Sequence, residues 1–301
     1  MDRTLAHSTA LFFGTCPGSY TRDMGSKSEV KPEVAEHYSA HYRNFAADVY
    51  GDVRREAFGV DVGQNSWLTV DELKRFGSLL QLRPSARFLD VACGSGGPTL
   101  HLARLADCEA VGVELYEEAV ATGRRAAADA SLEERVTFVC ADAARRLPFE
   151  SESFDAVLCV DAINHLPDRR AVLTDWARLL RPGGRLLFTD PIVLTGPLSS
   201  DEIAIRASIG FLLLLPPGEN ERVLTEARLE VVSVDDTTEH LAEIARRRFD
   251  ARSRHAAELA GLEGQQAFDG RQRFFDLVAT LAHQRRLSRF VYAAVCPSEV
   301  A

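Results

Sequence analysis

The alternation of apolar runs and amphipathic stretches from residue 86 onward predicts an α/β protein, a doubly wound parallel sheet with helices on both faces. Three observations carry that prediction. Runs such as RFLDVAC (87–93), EAVGVEL (109–115) and FDAVLCVDA (154–162) are apolar on both faces, as strands buried inside a parallel sheet are. Helical patterns stand between them, PTLHLARLA (98–106) with proline at its first turn and DRRAVLTDWARLL (168–180) with an apolar stripe. A glycine-rich turn, CGSGGP (93–98), directly follows the first strand, where an open α/β sheet presents its ligand.

Each element can be justified in order. Residues 1–30 are polar and Gly/Ser-containing and are expected to be a disordered tail, with Met24 as an alternative start. Their apolar stretch is too short for a secretory signal. Residues 31–85 read as a helical lid segment: Tyr38, Tyr42, Phe45 and Val49 recur at helical spacing, and Thr69 with Glu72 three residues later is a capping-box pattern. Residues 86–301 form the main domain. Its strands are RFLDVAC, EAVGVEL, RVTFVCAD (135–142), FDAVLCVDA, RLLFTDPI (185–192), LEVVSVDDT (229–237) and RFVYAAVC (289–296), seven in all. Two less regular insertions interrupt it, at 193–228 with the run IGFLLLLPPG, and at 238–286 with Arg-rich helices.

The bulk composition narrows the function. A net charge of −9 disfavours nucleic acid as the main partner, because phosphate contact needs a basic face. No run approaches the roughly 18 apolar residues that cross a bilayer, so a location in the cytoplasm, away from membranes, is expected. The six scattered cysteines lack a C-x-x-C pair and read as reduced thiols.

The chemistry lies at the strand ends. In the glycine loop the residue three after Gly96 is Thr99, so the dinucleotide fingerprint fails. Asp90 beside the loop opposes a pyrophosphate and suits a ligand rich in ammonium and hydroxyl donors. Glu114 ends the second strand, where a carboxylate can accept both hydroxyls of a ribose, and Asp142 follows the third, placed to accept from an adenine amino group. Any one such acid reads equally as a helix N-cap; three in succession point to a nucleoside.

The stretches FLDVACGSGG, GVELYEEAV, CADAARRLPFESESFDAVLCVDAINHLPD and RLLRPGGRLLFTDPI, together covering 86–192, resemble the class I S-adenosylmethionine-dependent methyltransferases. The resemblance is to their small-molecule branch, which includes ubiquinone/menaquinone C-methyltransferases and natural-product N- and O-methyltransferases. It implies a Rossmann-like seven-stranded sheet with the last strand antiparallel, S-adenosyl-L-methionine as cofactor with S-adenosyl-L-homocysteine as product, and no metal. It also implies that Asp90, Ala92, Gly94 and Gly96 line the methionine end, that Glu114 binds the ribose, that Leu115, Asp142 and Ala143 frame the adenine, and that Asp161 sits near the ammonium and the reacting methyl. In the loop GQNSWLT (63–69), Gln64 or Trp67 is expected to touch the cofactor; the alternative is a tryptophan that packs at a helix start.

On the acceptor side the expectations are His165 as general base with Asp161 in the catalytic centre, and Asn164, Asp190, Tyr38 and Tyr42 as substrate-side candidates. The tyrosines read equally as a buried stripe, and His165 as a loop-packing residue. The FLLLL run offers an apolar wall or ordinary core. His37 and His41 have i,i+4 spacing but no third ligand, so solvent exposure is the preferred reading. ARRRFDARSRH (245–255) reads as a solvated helix face, with recognition of an acidic acceptor as the minority alternative. The expected function is methyl transfer to a small, partly apolar metabolite; the alternatives are a macromolecular acceptor and a binding protein without turnover.

Overall fold

The computed structural model describes residues 32–298; the tail expected over 1–30 lies outside them. Seven strands form one sheet: β1 Arg87–Val91, β2 Glu109–Glu114, β3 Val136–Cys140, β4 Phe154–Cys159, β5 Leu180–Leu194, β6 Glu230–Asp236 and β7 Leu287–Val295. Their order is β3-β2-β1-β4-β5-β7-β6. The first five run parallel. β7 runs antiparallel between β5 and β6, as the resemblance implies. The chain moves outward from β1 to β3 and then returns to place β4 on the other side of β1. That reversal opens a crevice beyond the carboxyl ends of β1 and β4, where such sheets hold ligands.

Both faces of the sheet are buried, which explains the uninterrupted apolar strands. Leu89, Val91, Val157 and Phe188 pack on one face with Trp176 of α6 (Arg169–Leu179). Phe88, Ala110, Phe138 and Leu158 pack on the other with Phe76 and Leu102. Phe76 belongs to α3 (Val70–Leu79) and Leu102 to α4 (Gly97–Ala106). α5 (Glu117–Asp129) completes the layers over β3.

A second, helical layer roofs the crevice. It combines α1 (Pro32–Arg43) and α2 (Asp48–Phe58) with α7 (Ser200–Arg206), α9 (Thr238–Arg254), α10 (Ala256–Glu263) and α11 (Gln265–His283). Val49, Tyr50 and Val53 of α2 pack against Ala251, Leu259 and Phe268, so the two ends of the described chain build one cap. α8 (Glu219–Glu226) lies apart from it, against α6.

Three details depart from the sequence reading, and a fourth agrees with it. β5 is longer than 185–192, because the RPGG turn stays in the ladder through a bulge opposite Phe154 and Ala156. The FLLLL run is irregular, in keeping with the less regular insertion read over 193–228. Gly210 at φ +137° breaks the preceding turn and Pro216 and Pro217 prevent another. The run is pinned in extended form by Leu213 N–H to Asn164 O (2.9 Å) and Leu194 N–H to Leu215 O (2.8 Å). Thr69 caps α3 by accepting from Glu72 N–H (3.4 Å), but the Glu72 side chain leaves the capping box for Arg289. Cys93, Cys108, Cys159 and Cys296 are free thiols, whereas Cys140 is disulfide-bonded, against the expectation of reduced thiols throughout. Among the described residues no helix is long and apolar enough to cross a membrane.

Candidate functional site

Between the strand ends and the helical cap lies a cavity of about 1870 Å³. A pocket for one small ligand typically measures about 300–1,000 Å³, so two ligands fit side by side. The floor comes from the carboxyl ends of β1 and β2 and the turns after β3 and β4, each of which brings an acid: Asp90, Glu114, Asp142 and Asp161.

Asp90 is almost fully buried, and among the described residues its hydrogen-bond donor is the Thr99 hydroxyl, 2.5 Å from Oδ2. Burial pushes its carboxyl up to about 7, the Thr99 bond holds it back, and the nearby Glu114 charge adds to the rise. Glu114 is also buried and raised by desolvation, but it is better served: Oε2 accepts from Gly94 N–H (3.0 Å) and Oε1 from Leu115 (2.8 Å) and Tyr116 N–H (3.3 Å). Each carboxylate oxygen has two lone pairs, so the pair keeps acceptor capacity toward the cavity while clamping the glycine loop. Asp142 Oδ1 accepts from Ala144 N–H (2.9 Å), an N-cap-like role, and its carboxylate is partly open to the cavity.

Over this floor lie aromatic rings. Tyr38 stacks on Tyr116 at 5.2 Å and on Tyr42 at 6.5 Å, and a side chain at Gly94 would meet the Tyr42 hydroxyl at 3.2 Å. Burial first, then the Glu114 charge, raises the Tyr38 phenol to about 12 and the Tyr42 phenol well above its ordinary value. Acids below and aromatic faces above make a compartment suited to a cation that also carries hydroxyls. That donor set fits S-adenosylmethionine, a sulfonium with an ammonium and a ribose, and does not fit a pyrophosphate.

Tyr38, Tyr42, Gln64, Trp67, Asp90, Ala92, Gly94, Glu114, Leu115, Asp142, Ala143, Asp161 and His165 all border the cavity. Several have other duties than expected. Gln64 accepts from Val62 N–H (2.8 Å) and donates to Val60 O (3.0 Å), so its amide holds its own loop. Trp67 stacks on Phe274 at 6.4 Å and meets Phe275 edge-on, which makes it the packing residue of the alternative reading. The Asp161 carboxylate receives four donors: Trp67 N–H (2.9 Å), the Thr189 hydroxyl (2.7 Å), and Arg289 through Nε (2.7 Å) and Nη2 (3.3 Å). These partners give Asp161 an anchoring role at the border of the cavity.

Three of the expected site residues lie outside the cavity lining. Gly96 is not in the cavity wall; it caps α4 at φ +78°, and a Cβ there would strike the Phe138 ring at 2.3 Å. Asn164 is buried beneath the wall, its Oδ1 without a partner. Asp190 is fully buried away from the cavity, ion-paired with Arg169 (3.1 Å) and bonded by Asn220 Nδ2 (3.1 Å). A strand-end position says nothing about which way its side chain turns, and Asp190 turns toward α6. His41 is likewise buried rather than solvent-facing, its Nδ1 3.2 Å from Arg271 Nη1. Among the described residues no three potential ligands gather around a metal position.

His165 lines the cavity with Nδ1 2.7 Å from the Phe211 carbonyl oxygen. A carbonyl only accepts, so Nδ1 carries the proton and the neutral ring leaves its lone pair on Nε2. Burial lowers its pKa, the carbonyl partly offsets this, and the Arg206 charge lowers it further. The ring is therefore a neutral base near pH 7.

The preferred reading of 245–255 as a solvated helix face does not hold for Arg248 and Arg252: with Arg54 and Arg271, which the sequence reading did not single out, they border the cavity. The signal was present: Leu241, Ile244 and Ala245 make a buried stripe on α9 that Arg248 and Arg252 continue at helical spacing. Their charge disguised their position.

A family model described as a methyltransferase domain matches residues 89–188. The chain is 31% identical over 205 residues to 27-O-demethylrifamycin SV methyltransferase of Amycolatopsis mediterranei, covering 64% of this chain and 75% of that one. It is 33% identical over 166 residues to Methyltransferase GfsG of Streptomyces halstedii, with 53% and 58% covered. In fold it is similar to phosphoethanolamine N-methyltransferase 2 of Haemonchus contortus, solved with phosphomonomethylethanolamine and S-adenosylhomocysteine: TM-score 0.73, 21% identity, 87% of this chain and 60% of that one.

Proposed function

The chain belongs to the S-adenosylmethionine-dependent methyltransferases, and from that premise we propose that it methylates a small, partly apolar metabolite, with His165 as the base that takes the acceptor's proton. The observation that carries this reading is that His165, its tautomer set by the Phe211 carbonyl, opens on the same cavity as Asp90 and Glu114.

Bound S-adenosylmethionine supplies a methyl already activated by a positive sulfur, open to in-line displacement. The protein's task is then chiefly positioning, which can contribute roughly 7–11 kcal/mol. Asp90 and the Gly94 backbone would hold the methionine end, with Ala92 beside them. Glu114 would accept the ribose hydroxyls, and Leu115, Asp142 and Ala143 would frame the adenine. Tyr38 and Tyr42 would cover the compartment and exclude water. The apolar body of the acceptor would lie against Leu212 and Leu214 of the extended run, both in the cavity wall. A phenol, alcohol or carbon acid must lose a proton on transfer, and His165 Nε2 would receive it.

Incubation with methyl-labelled S-adenosylmethionine and a metabolite extract tests the reading: the label is expected in a small product. Label in protein or nucleic acid instead would overturn it. Once the product is known, His165→Gln should lower kcat about 10²–10⁴-fold with the KM for S-adenosylmethionine unchanged. An unaltered kcat would remove His165 from the chemistry.

A further inference from the structure

The cavity is electrically divided. Its floor is acidic, as a cationic methyl donor requires. Its cap side gathers four bordering arginines, Arg54, Arg248, Arg252 and Arg271, which two carboxylates answer among the described residues; Arg206 is buried against the Phe274 ring, outside the cavity lining. Asp61 pairs with Arg54 at 2.7 Å. Glu263 pairs with Arg252 at 2.8 Å and lies 3.6 Å from Arg271.

Among the described residues Arg206 and Arg248 have no carboxylate partner. Arg206 is 4% exposed, and no hydrogen bond from a described residue reaches it; its Nε and Nη1 are buried and unsatisfied. The Phe274 ring, 4.8 Å from Cζ, supports the guanidinium. Arg248 lies over Phe275 at 4.5 Å and Trp67 at 5.2 Å, and its Nη1 donates to Asn65 and Ser66 carbonyls, while Nε is buried without a partner. Arg271 Nε is unsatisfied as well. Trp67, Phe274 and Phe275 form one aromatic cluster, so Arg206 and Arg248 rest on two parts of the same platform.

The electrostatics agree with the geometry. Burial lowers Arg206 to about 10. Burial, then the charges of Arg252, Arg271 and Arg54, lower Arg248 to about 9, with Asp161 opposing. Arg206 and Arg271 both act on Tyr38 in the cavity wall. Unpaired buried charge is expensive; among the described residues Arg248 borders the cavity with no carboxylate and Arg271 shares Glu263 with Arg252, so both keep positive charge for something that enters the cavity.

We propose that Arg248 and Arg271, both in the cap wall with a buried unsatisfied Nε, form an anion-receiving subsite, so that the methyl acceptor is an apolar body bearing a carboxylate or a phosphate ester. This rests on the reading of the cavity as a small-molecule methyl-transfer site. The planar guanidinium suits either anion by paired N–H donors. The division of the cavity then has a purpose: the acids hold the cationic donor, the arginines hold the anionic end of the acceptor, and His165 lies in the wall of the space both share.

The test uses the full chain saturated with S-adenosylhomocysteine and three probes of equal chain length: decanoate, decyl phosphate and decanol. Calorimetry should find at least one anion bound ten-fold or more tightly than decanol, and the preference between the two anions identifies the group. Arg248→Met and Arg271→Met should each weaken the anion ten-fold or more while leaving decanol and S-adenosylhomocysteine binding unchanged. Arg206→Met, outside the cavity lining, should raise Tm without ligand, because it removes an unpaired buried charge. Equal binding of anion and alcohol, or anion affinity indifferent to Arg248→Met and Arg271→Met, would overturn the subsite while leaving an apolar acceptor intact. Binding of none of the probes would overturn both.

Discussion

Asp90 stands between two environments, and its titration reports which one it is in. With its carboxyl raised to about 7 from 3.8, the protonated form favours the folded state. The resulting stability is fully present below pH 3.8 and is lost as pH rises through about 7. A ligand ammonium reverses the preference, so S-adenosylhomocysteine should bind more tightly as pH rises, by up to about tenfold per unit below 7, and level off above. Calorimetry at about pH 6 and pH 8 checks this; a flat profile would separate Asp90 from the ammonium. Thr99→Val removes the hydroxyl that holds the carboxyl down and should move the midpoint upward. Glu114→Ala should weaken S-adenosylhomocysteine by about 1–3 kcal/mol, the cost of losing a charged acceptor. It should lower Tm too, because the same carboxylate clamps Gly94, Leu115 and Tyr116.

At the scale of elements, the start of α4 shows how closely the lid loop rests on the sheet. A Cβ at Gly97 would lie 1.8 Å from the Val62 carbonyl oxygen, and backbone cannot yield as a side chain can. Gly97→Ala should therefore push the 61–64 loop away from the glycine turn. The expected cost is about 1–3 kcal/mol of stability, with weakened S-adenosylhomocysteine binding, read by thermal unfolding and calorimetry on one sample. Full stability with normal binding would show that the loop adapts. The motif thus serves two purposes that look alike in sequence. Gly94 belongs to the cavity wall, while Gly96 and Gly97 permit packing against Phe138 and Val62.

For the molecule as a whole, Arg289 joins sheet to cap. Fully buried on β7, it bonds Asp161 after β4, Glu72 of α3 and Thr237 before α9, and Asp161 in turn holds Trp67. Arg289→Met leaves two buried carboxylates without their cation, and unfolding free energy should fall by about 3–5 kcal/mol. Urea denaturation measures it; a loss under about 1 kcal/mol would show the network is dispensable. The strands, their order of acids and the donor compartment were legible in the sequence because each strand end and its following turn are contiguous in the chain. Asp90, Glu114 and Asp142 needed no distant partner to be recognised. Asp161 and Asp190 did: their local settings look alike, and only the packing of β7 and α6 supplies Arg289 to one and Arg169 to the other. The basic wall was legible only as a minority alternative, for the same reason. Arg54, Arg248 and Arg271 come from three separate helices, and whether an arginine is solvated or buried is decided by what packs over it. The sequence by itself determined the methyl donor, a matter of local turns; the tertiary structure alone decided which side chains wall the cavity opposite the acids, because burial and unpaired charge are properties of the assembled cap.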